Sequence, residues 1–386
     1  MASGIKSNGR GSVRLVLSYI IDWIIIIAIA AVGAGFSVVT PNKRPFDVTD
    51  ADISFPYVTK EKVSTGLLVA IGLVVPAIIT FIVCLAVVPG PAFESASRSK
   101  IWKRKVWEWN AAWMGLGLSL AIAFMITSGT KNLVGKPRPN MLARCDPDLS
   151  RLLNSTVGGI GNQVDEGINL VSWTICRNSG STLDDGFRSF PSGHSSFSFA
   201  GLTYFALFLC AKLAVTIPFL NYQDIDRNKQ HVKPRKQAAA PPTYLIIFPL
   251  VSISAAIYIS STRYSDFMHH GFDIISGAIL GIVSAWLGFR WYHLPISRGG
   301  GWAWAPRSSD RSFRRGIGLV TYASDEKSYD RNGTDLECGP GGEAVSDGNG
   351  TVRPYKTSEG SEGIALTDLD HVQPPGVGDS SRRSFQ

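Results

Sequence analysis

Residues 16–39 read VLSYIIDWIIIIAIAAVGAGFSVV, with Asp22 as the single charged residue. A helix rises about 1.5 Å per residue, so a run of this length can cross a hydrocarbon core about 30 Å thick. Five further runs have the same character: 67–88, 111–129, 197–217, 244–261 and 274–291. The whole chain agrees with them. It has 386 residues, 45% hydrophobic and 18% charged, with mean hydropathy +0.11, where a soluble protein carries about 25% charged residues. An all-α polytopic membrane protein with six transmembrane helices is expected. Disordered, collagen-like and small disulfide-scaffold classes are excluded. A signal peptide is the competing reading of the first run, since Lys6, Arg10 and Arg14 precede it. That run is longer than a usual signal core, and 40–66 lead directly into another span, so a retained anchor is expected.

The formal charge of +8 could suggest nucleic acid, but the basic residues sit in short loops beside the apolar runs. Arg98, Lys100, Lys103, Arg104 and Lys105 precede the third run; Arg227, Lys229, Lys233, Arg235 and Lys236 precede the fifth. Arg298, Arg307, Arg311, Arg314 and Arg315 follow the sixth. Cytoplasmic loops accumulate Lys and Arg, and anionic lipid attracts them. The bilayer, not nucleic acid, is the expected partner. Both termini are placed in the cytoplasm, and the connectors 40–66, 130–196 and 262–273 on the opposite side.

Three regions are expected: a cytoplasmic N-terminus over 1–15, a transmembrane domain over 16–295 and a disordered cytoplasmic tail over 296–386. The tail is rich in Gly, Ser, Asp and Arg and cannot bury enough apolar area to offset its ordering entropy. Pro76 and Pro249 fall inside spans, where neighbouring helices can satisfy the freed backbone groups. Lys212 is expected to snorkel outward, and Asp22 to face the bundle near the headgroups. Cys84 and Cys210 read as packing residues, and Cys338 lies in the tail. Cys145 and Cys176 share the long outer connector, where oxidising conditions favour a bridge. Cys145 and Arg151 also make a C-x5-R pattern, but the residues between them lack a Gly-rich phosphate cradle and include two acids. Asn154-Ser155-Thr156 is a glycosylation sequon on the outer side; those at Asn332 and Asn349 fall in the tail.

Three polar clusters border the outer faces of the spans. They are Lys131-Asn-Leu-Val-Gly-Lys-Pro-Arg138-Pro139, Arg188-Ser-Phe-Pro191-Ser192-Gly193-His194-Ser195 and Arg263-Tyr-Ser-Asp-Phe-Met-His269-His270-Gly-Phe-Asp273. Lys131, Arg138 and Arg263 supply cations and fork-shaped donors suited to a phosphoryl dianion. Ser192 and Gly193 offer a hydroxyl and a backbone N–H where a helix start favours an anion. His269 and Asp273 are four apart, so in a helical turn a carboxylate could fix the tautomer of a nucleophilic imidazole. His194 is left to protonate a leaving alkoxide. A metal centre fits poorly, because the clusters lack a dense carboxylate set and the three cations oppose a divalent ion.

These clusters resemble the three motifs of the type 2 phosphatidic acid phosphatase (lipid phosphate phosphatase) superfamily: K-x6-RP, PSGH and SR-x5-H-x3-D. Their flanks, with Arg44-Pro-Phe46 and Asp52-Ile-Ser-Phe-Pro-Tyr57 in the first outer loop, are most similar to the fungal and animal lipid phosphatases. The resemblance spans about residues 15–295. Thr262 stands where the third motif usually has Ser, Gly271 where an aromatic is common, and Asn140 where many relatives have an acid. The resemblance implies a six-helix fold in which His269 forms a phosphohistidine, Asp273 orients it, and His194 serves as acid and then base. Lys131, Arg138, Pro139, Ser192, Gly193 and Arg263 would hold the phosphate. It further implies a hydrolase without metal or other cofactor, acting on phosphatidate, lysophosphatidate or diacylglycerol pyrophosphate. The site would face the lumen or exterior of an endomembrane (vacuole, Golgi or endoplasmic reticulum) or the plasma membrane. A lipid phosphotransferase of the same fold and a catalytically silent lipid-binding protein are the alternatives. A transporter would need polar groups near mid-membrane.

Overall fold

A computed structural model of the chain describes residues 9–88, 98–160, 169–216, 241–296, 301–308, 312–313, 328–329 and 335–336. The basic segment 227–236, Cys338, the sequons at Asn332 and Asn349 and most of the expected tail lie outside the described residues. The chain divides into two compact units, Met1–Ser324 and Asp325–Gln386. In the second, a strand pair of Ser328–Tyr329 with Asp335–Leu336 is described.

Six long helices build the first unit: α1 Gly9–Val38, α2 Thr65–Val87, α3 Arg98–Val134, α4 Gly193–Lys212, α5 Ile247–Ser265 and α6 Gly271–Tyr292. Each is long and apolar enough to cross a membrane. The six expected spans are present, with shifted ends. α3 starts at Arg98 because the helix runs on through the charged segment before the apolar run. α4 starts at Gly193, capped by the Ser192 hydroxyl, which accepts from the Ser195 N–H. In α2 a wider π turn, Ala70–Val74, precedes Pro76, which has no N–H to give the helix.

α4 is the axis of the bundle and packs against α3, α5 and α6. Ala112, Leu116 and Leu120 of α3 meet Ala200, Tyr204 and Phe208 of α4 and Ala285 and Phe289 of α6. Gly277 and Gly281 let α6 approach α4 closely. A Cβ at Gly277 would stand 2.6 Å from the Ser192 carbonyl oxygen, and one at Gly281 2.5 Å from that of Ser196. Small residues four apart allow such backbone contact between membrane helices.

At one end the connectors form a cap. Strands β1 Phe46–Asp47, β2 Thr156–Gly159 and β3 Asn169–Val171 make a small antiparallel sheet in the order β1-β3-β2, with Phe46 opposite Val171. Phe46, Ile53, Met141, Val171, Leu183 and Phe187 close its core around Cys145, which is bonded to Cys176. A bonded Cys145 has no thiol to act as a nucleophile. Asn154 is exposed in the same cap.

The opposite end corrects two expectations. Lys212 does not snorkel: its ammonium is buried 2.6 Å from Glu108 Oε2 on α3, under the Trp302 ring. Glu108 also pairs with Arg104 and accepts from the Ala303 N–H, so the buried carboxylate is fully engaged. Nor does the domain end at 295. Residues 301–307 fold back: Ala303 bridges His293, and the Trp304 N–H donates to the Tyr292 carbonyl. Arg307 pairs with Asp22 at 2.7 Å, giving that acid its counter-charge. Any tail therefore begins beyond Arg307.

Candidate active site

Main-chain hydrogen bonds stitch the three motif segments together beneath the cap. Gly135, at φ +61°, ends α3 in the left-handed conformation and turns the chain so that Arg138 returns over the bundle. The Arg138 N–H then donates to Gly186 O, the Ser189 N–H to Lys136 O and the Ser192 N–H to Asp273 O. These bonds span the first motif, the approach to the second, and the third.

They surround a cavity of about 530 Å³ lined by Lys131, Arg138, Gly193, His194, Arg263 and His269, with Glu61, Asp185 and Arg188. Its remaining wall combines an apolar side, Leu68 and Val69 of α2, Phe124 of α3 and Phe197 of α4, with the hydroxyls of Thr65, Thr127, Ser128 and Ser196 and with Ser37 and Asn132. The cations are arranged differently. Arg263 is almost wholly buried and donates to Glu61 Oε2 at 2.9 Å and to Asp266 Oδ2 at 3.1 Å. Arg138 donates to Asp185 Oδ1 at 2.8 Å and leaves its buried Nε–H without an acceptor among the described residues. Burial works against the charge of Asp185, yet Arg138 and Arg144 hold its carboxyl below the usual carboxylate range. Lys131 Nζ would lie 3.3 Å from a Cβ at Gly193, so glycine there keeps the ammonium beside the α4 N-terminus. The first N–H groups of a helix have no intrahelical acceptor, and its dipole favours an anion.

His269 lies on the turn between α5 and α6. Its Nδ1 is 2.6 Å from the carbonyl oxygen of Ser189. A carbonyl only accepts, so the proton is on Nδ1 and Nε2 carries the free lone pair. Burial above all, then the charges of Arg138 and Lys131, keep its pKa well below the ordinary imidazole value. The ring is neutral at pH 7. Across the cavity, His194 Nε2 is 3.2 Å from the Val63 carbonyl oxygen.

Asp273 is not bonded to His269, as the four-residue spacing had suggested. Its carboxylate accepts from Lys136 at 2.8 Å, from the Ser189 hydroxyl at 2.6 Å and from the His270 N–H at 3.2 Å, and it lies 3.2 Å from His270 Nδ1. The reason is local. His270 is the N-cap of α6 and Asp273 its third residue, so the carboxylate turns back to close a capping box. Asp273 meets His269 indirectly, through Ser189 and through the adjoining His270.

The structure thus brings Lys131, Arg138, Gly193, His194, Arg263 and His269 to one cavity. Ser192, Pro139 and Asp273 stand behind its wall: the Ser192 hydroxyl is spent on the helix cap, and the Pro139 carbonyl accepts from the Phe55 N–H. Glu61, Asp185, Ser189 and Lys136 were not singled out in the sequence. Lys136 and Ser189 lie inside the motif segments, whereas Asp185 and Glu61 are acids in loops without a distinguishing pattern. Among the described residues no group of three or more His, Cys, Asp or Glu is placed to hold a metal ion.

Comparison with known proteins gives the same direction. The family model described as PAP2 superfamily matches residues 112–296. The probable diacylglycerol pyrophosphate phosphatase 1 of Schizosaccharomyces pombe is 31% identical over 285 residues, covering 74% of this chain and 85% of the relative. The diacylglycerol pyrophosphate phosphatase 1 of Saccharomyces cerevisiae is 28% identical, covering 66% and 73% respectively. Lipid phosphate phosphatase 1 of Arabidopsis thaliana is 29% identical, covering 78% and 75%. No solved structure matches.

Proposed function

The chain belongs to the PAP2 superfamily, and from that membership and the cavity we propose that it is a membrane phosphohydrolase of lipid phosphates working through a phosphohistidine. The observation that carries this reading is the His269 ring, neutral, fixed by the Ser189 carbonyl and opening with Nε2 onto a cavity walled by cations. The phosphoryl oxygens of the substrate sit among Lys131, Arg138, Arg263 and the α4 N-terminus. His269 Nε2 attacks phosphorus, an N–P bond forms, and the bond to the leaving oxygen breaks. His194, entering this step as the imidazolium, gives a proton to that oxygen and is left neutral. His194 then takes a proton from water, the hydroxide attacks phosphorus, the N–P bond breaks and inorganic phosphate leaves. Asp273 acts at one remove, fixing Ser189 and Lys136.

The apolar wall of Leu68, Val69, Phe124 and Phe197 supports a lipid substrate: a headgroup in the cradle leaves its hydrocarbon beside side chains of the spans. Phosphatidate, lysophosphatidate and diacylglycerol pyrophosphate all have a terminal phosphoryl group of this kind, and the relatives' names point the same way. With the loop basic residues cytoplasmic, the cavity opens on the luminal or extracellular side. No metal is required in this reading, because three cations supply the positive charge. Purified protein assayed against a panel of lipid phosphates, with and without chelator, tests the substrate and metal claims. Trapping of labelled phosphate on His269 by quenching into alkaline denaturant, where an N–P bond survives and acid then releases the label, tests the intermediate. Activity that depends on added magnesium, or a full rate in His269→Ala, overturns it.

A further inference from the structure

Three consecutive residues before α2 each hold a different part of the candidate site. Glu61 Oε2 accepts from Arg263 Nη1 at 2.9 Å. The Lys62 N–H donates to Asp266 Oδ2 at 3.0 Å, and Asp266 is itself the second carboxylate on Arg263. The Val63 carbonyl meets His194 Nε2 at 3.2 Å. The backbone of Lys62 and the buried Val63 anchor this segment, while the Glu61 side chain is one-third exposed.

The same oxygen of Glu61 that binds Arg263 also lies 4.0 Å from His194 Nε2. It thus stands between a group of the phosphate cradle and the group proposed to protonate the leaving oxygen, within the cavity itself. That is a place for a substrate oxygen. A carboxylate and a phosphoryl dianion cannot share it, since like charges at that separation repel strongly.

We propose that Glu61 is an internal stand-in for the phosphoryl group, occupying the Arg263 seat while the cavity is empty and yielding it when a phosphate arrives. This rests on the phosphohydrolase reading. The anchored backbone lets the side chain swing out alone, and Asp266 keeps Arg263 oriented when it does. The returning carboxylate competes with inorganic phosphate for the cradle, so Glu61 weakens product binding and speeds release. A merely structural ion pair would hold the loop without acting on phosphate affinity.

The test uses the full-length protein in detergent and the isosteric variant Glu61→Gln, with inorganic phosphate and vanadate as probes. Inhibition constants are read from activity, and binding is read separately from the shift in thermal unfolding that each anion produces. Glu61→Gln is expected to bind both anions about five- to tenfold more tightly, with a similar fall in KM and no rise in kcat. Unchanged or weaker anion binding in Glu61→Gln overturns the proposal while leaving the phosphohydrolase reading intact. Vanadate that binds neither wild type nor variant overturns both. Should Glu61→Gln fail to fold, Glu61→Ser removes the same charge and is held to the same outcomes.

Discussion

His269 Nδ1 lies 2.6 Å from the main-chain oxygen of Ser189, so the tautomer of the ring is set by a peptide group and not by a side-chain carboxylate. No substitution at position 189 removes its main-chain oxygen. The ring orientation therefore survives changes in the side chains around it, and the Asp273 and Ser189 side chains become separable from His269 by mutation.

His269→Ala should abolish turnover and remove any trappable phosphoenzyme. Ser189→Ala keeps the carbonyl and loses one hydroxyl bond to Asp273, so it should cost about tenfold in kcat, roughly 1.4 kcal/mol of barrier. Asp273→Asn strips Lys136 of its partner as well and should cost more. Because the two share one network, the double variant should be less impaired than the product of the single effects. Full additivity in that kinetic cycle would show that Asp273 acts independently of Ser189.

The depressed pKa of His269 has a sign that can be checked. The unfolded ring titrates at about 6.5, while burial holds the folded one neutral to lower pH. Its contribution is complete above the unfolded value and is lost as pH falls from there toward the folded value. The slope is about 1.4 kcal/mol per pH unit for this one group. Thermal melts from pH 7.5 to 5.5 should show destabilisation by acid that is shallower in His269→Gln. An equal slope in both proteins would count against a buried neutral ring.

Arg138→Lys retains a charge but cannot keep the bond to Asp185 and present a fork to phosphate together. A loss of on the order of tenfold or more in kcat/KM is expected. Asp185→Asn should raise KM less than Arg138→Lys does, since the guanidinium remains in place. Steady-state kinetics on a short-chain lipid phosphate decide between the two.

Truncation after Ser324 should leave kcat within about twofold on solubilised substrate, because every residue lining the cavity belongs to the compact unit Met1–Ser324. Truncation after Ile296 removes the strap that gives Glu108 the Ala303 N–H and covers Lys212 with Trp302. It should destabilise the protein markedly, and Lys212→Met should do so by about 1–3 kcal/mol, because Glu108 keeps Arg104 and the Ala303 N–H but loses its buried ammonium partner. Unfolding in mild detergent measures both, and equal stability of the two truncations would refute a structural role for the strap.

The six spans and the cation cradle were legible because each rests on a local signal. Apolar length marks a helix, and Lys131, Arg138, His194, Arg263 and His269 stand in closely spaced clusters beside the spans. What stayed hidden depends on a partner remote in sequence. Lys212 looked like a snorkelling cation because Glu108 lies on another helix, and Asp22 was expected to face the bundle without a named partner because Arg307 lies past the last span. Glu61 and Asp185 are single acids in loops, with nothing local to tell them from solvated charges. The strands of the cap are too short to show a period of two. Asp273 misled for another reason: its spacing suited His269, but the helix cap claimed it first.

The contact of Gly277 and Gly281 with the first turns of α4 bears on how the protein meets membranes of different thickness. Hydrophobic mismatch is relieved by tilting or sliding helices, at a cost of fractions of a kcal/mol per Å. Backbone lodged against backbone leaves α4 and α6 no side-chain cushion over which to slide. The two histidines are anchored at this joint, one in the first turn of α4 and the other just ahead of α6. The distance between His269 and His194 should therefore be the same in a thin bilayer as in a thick one.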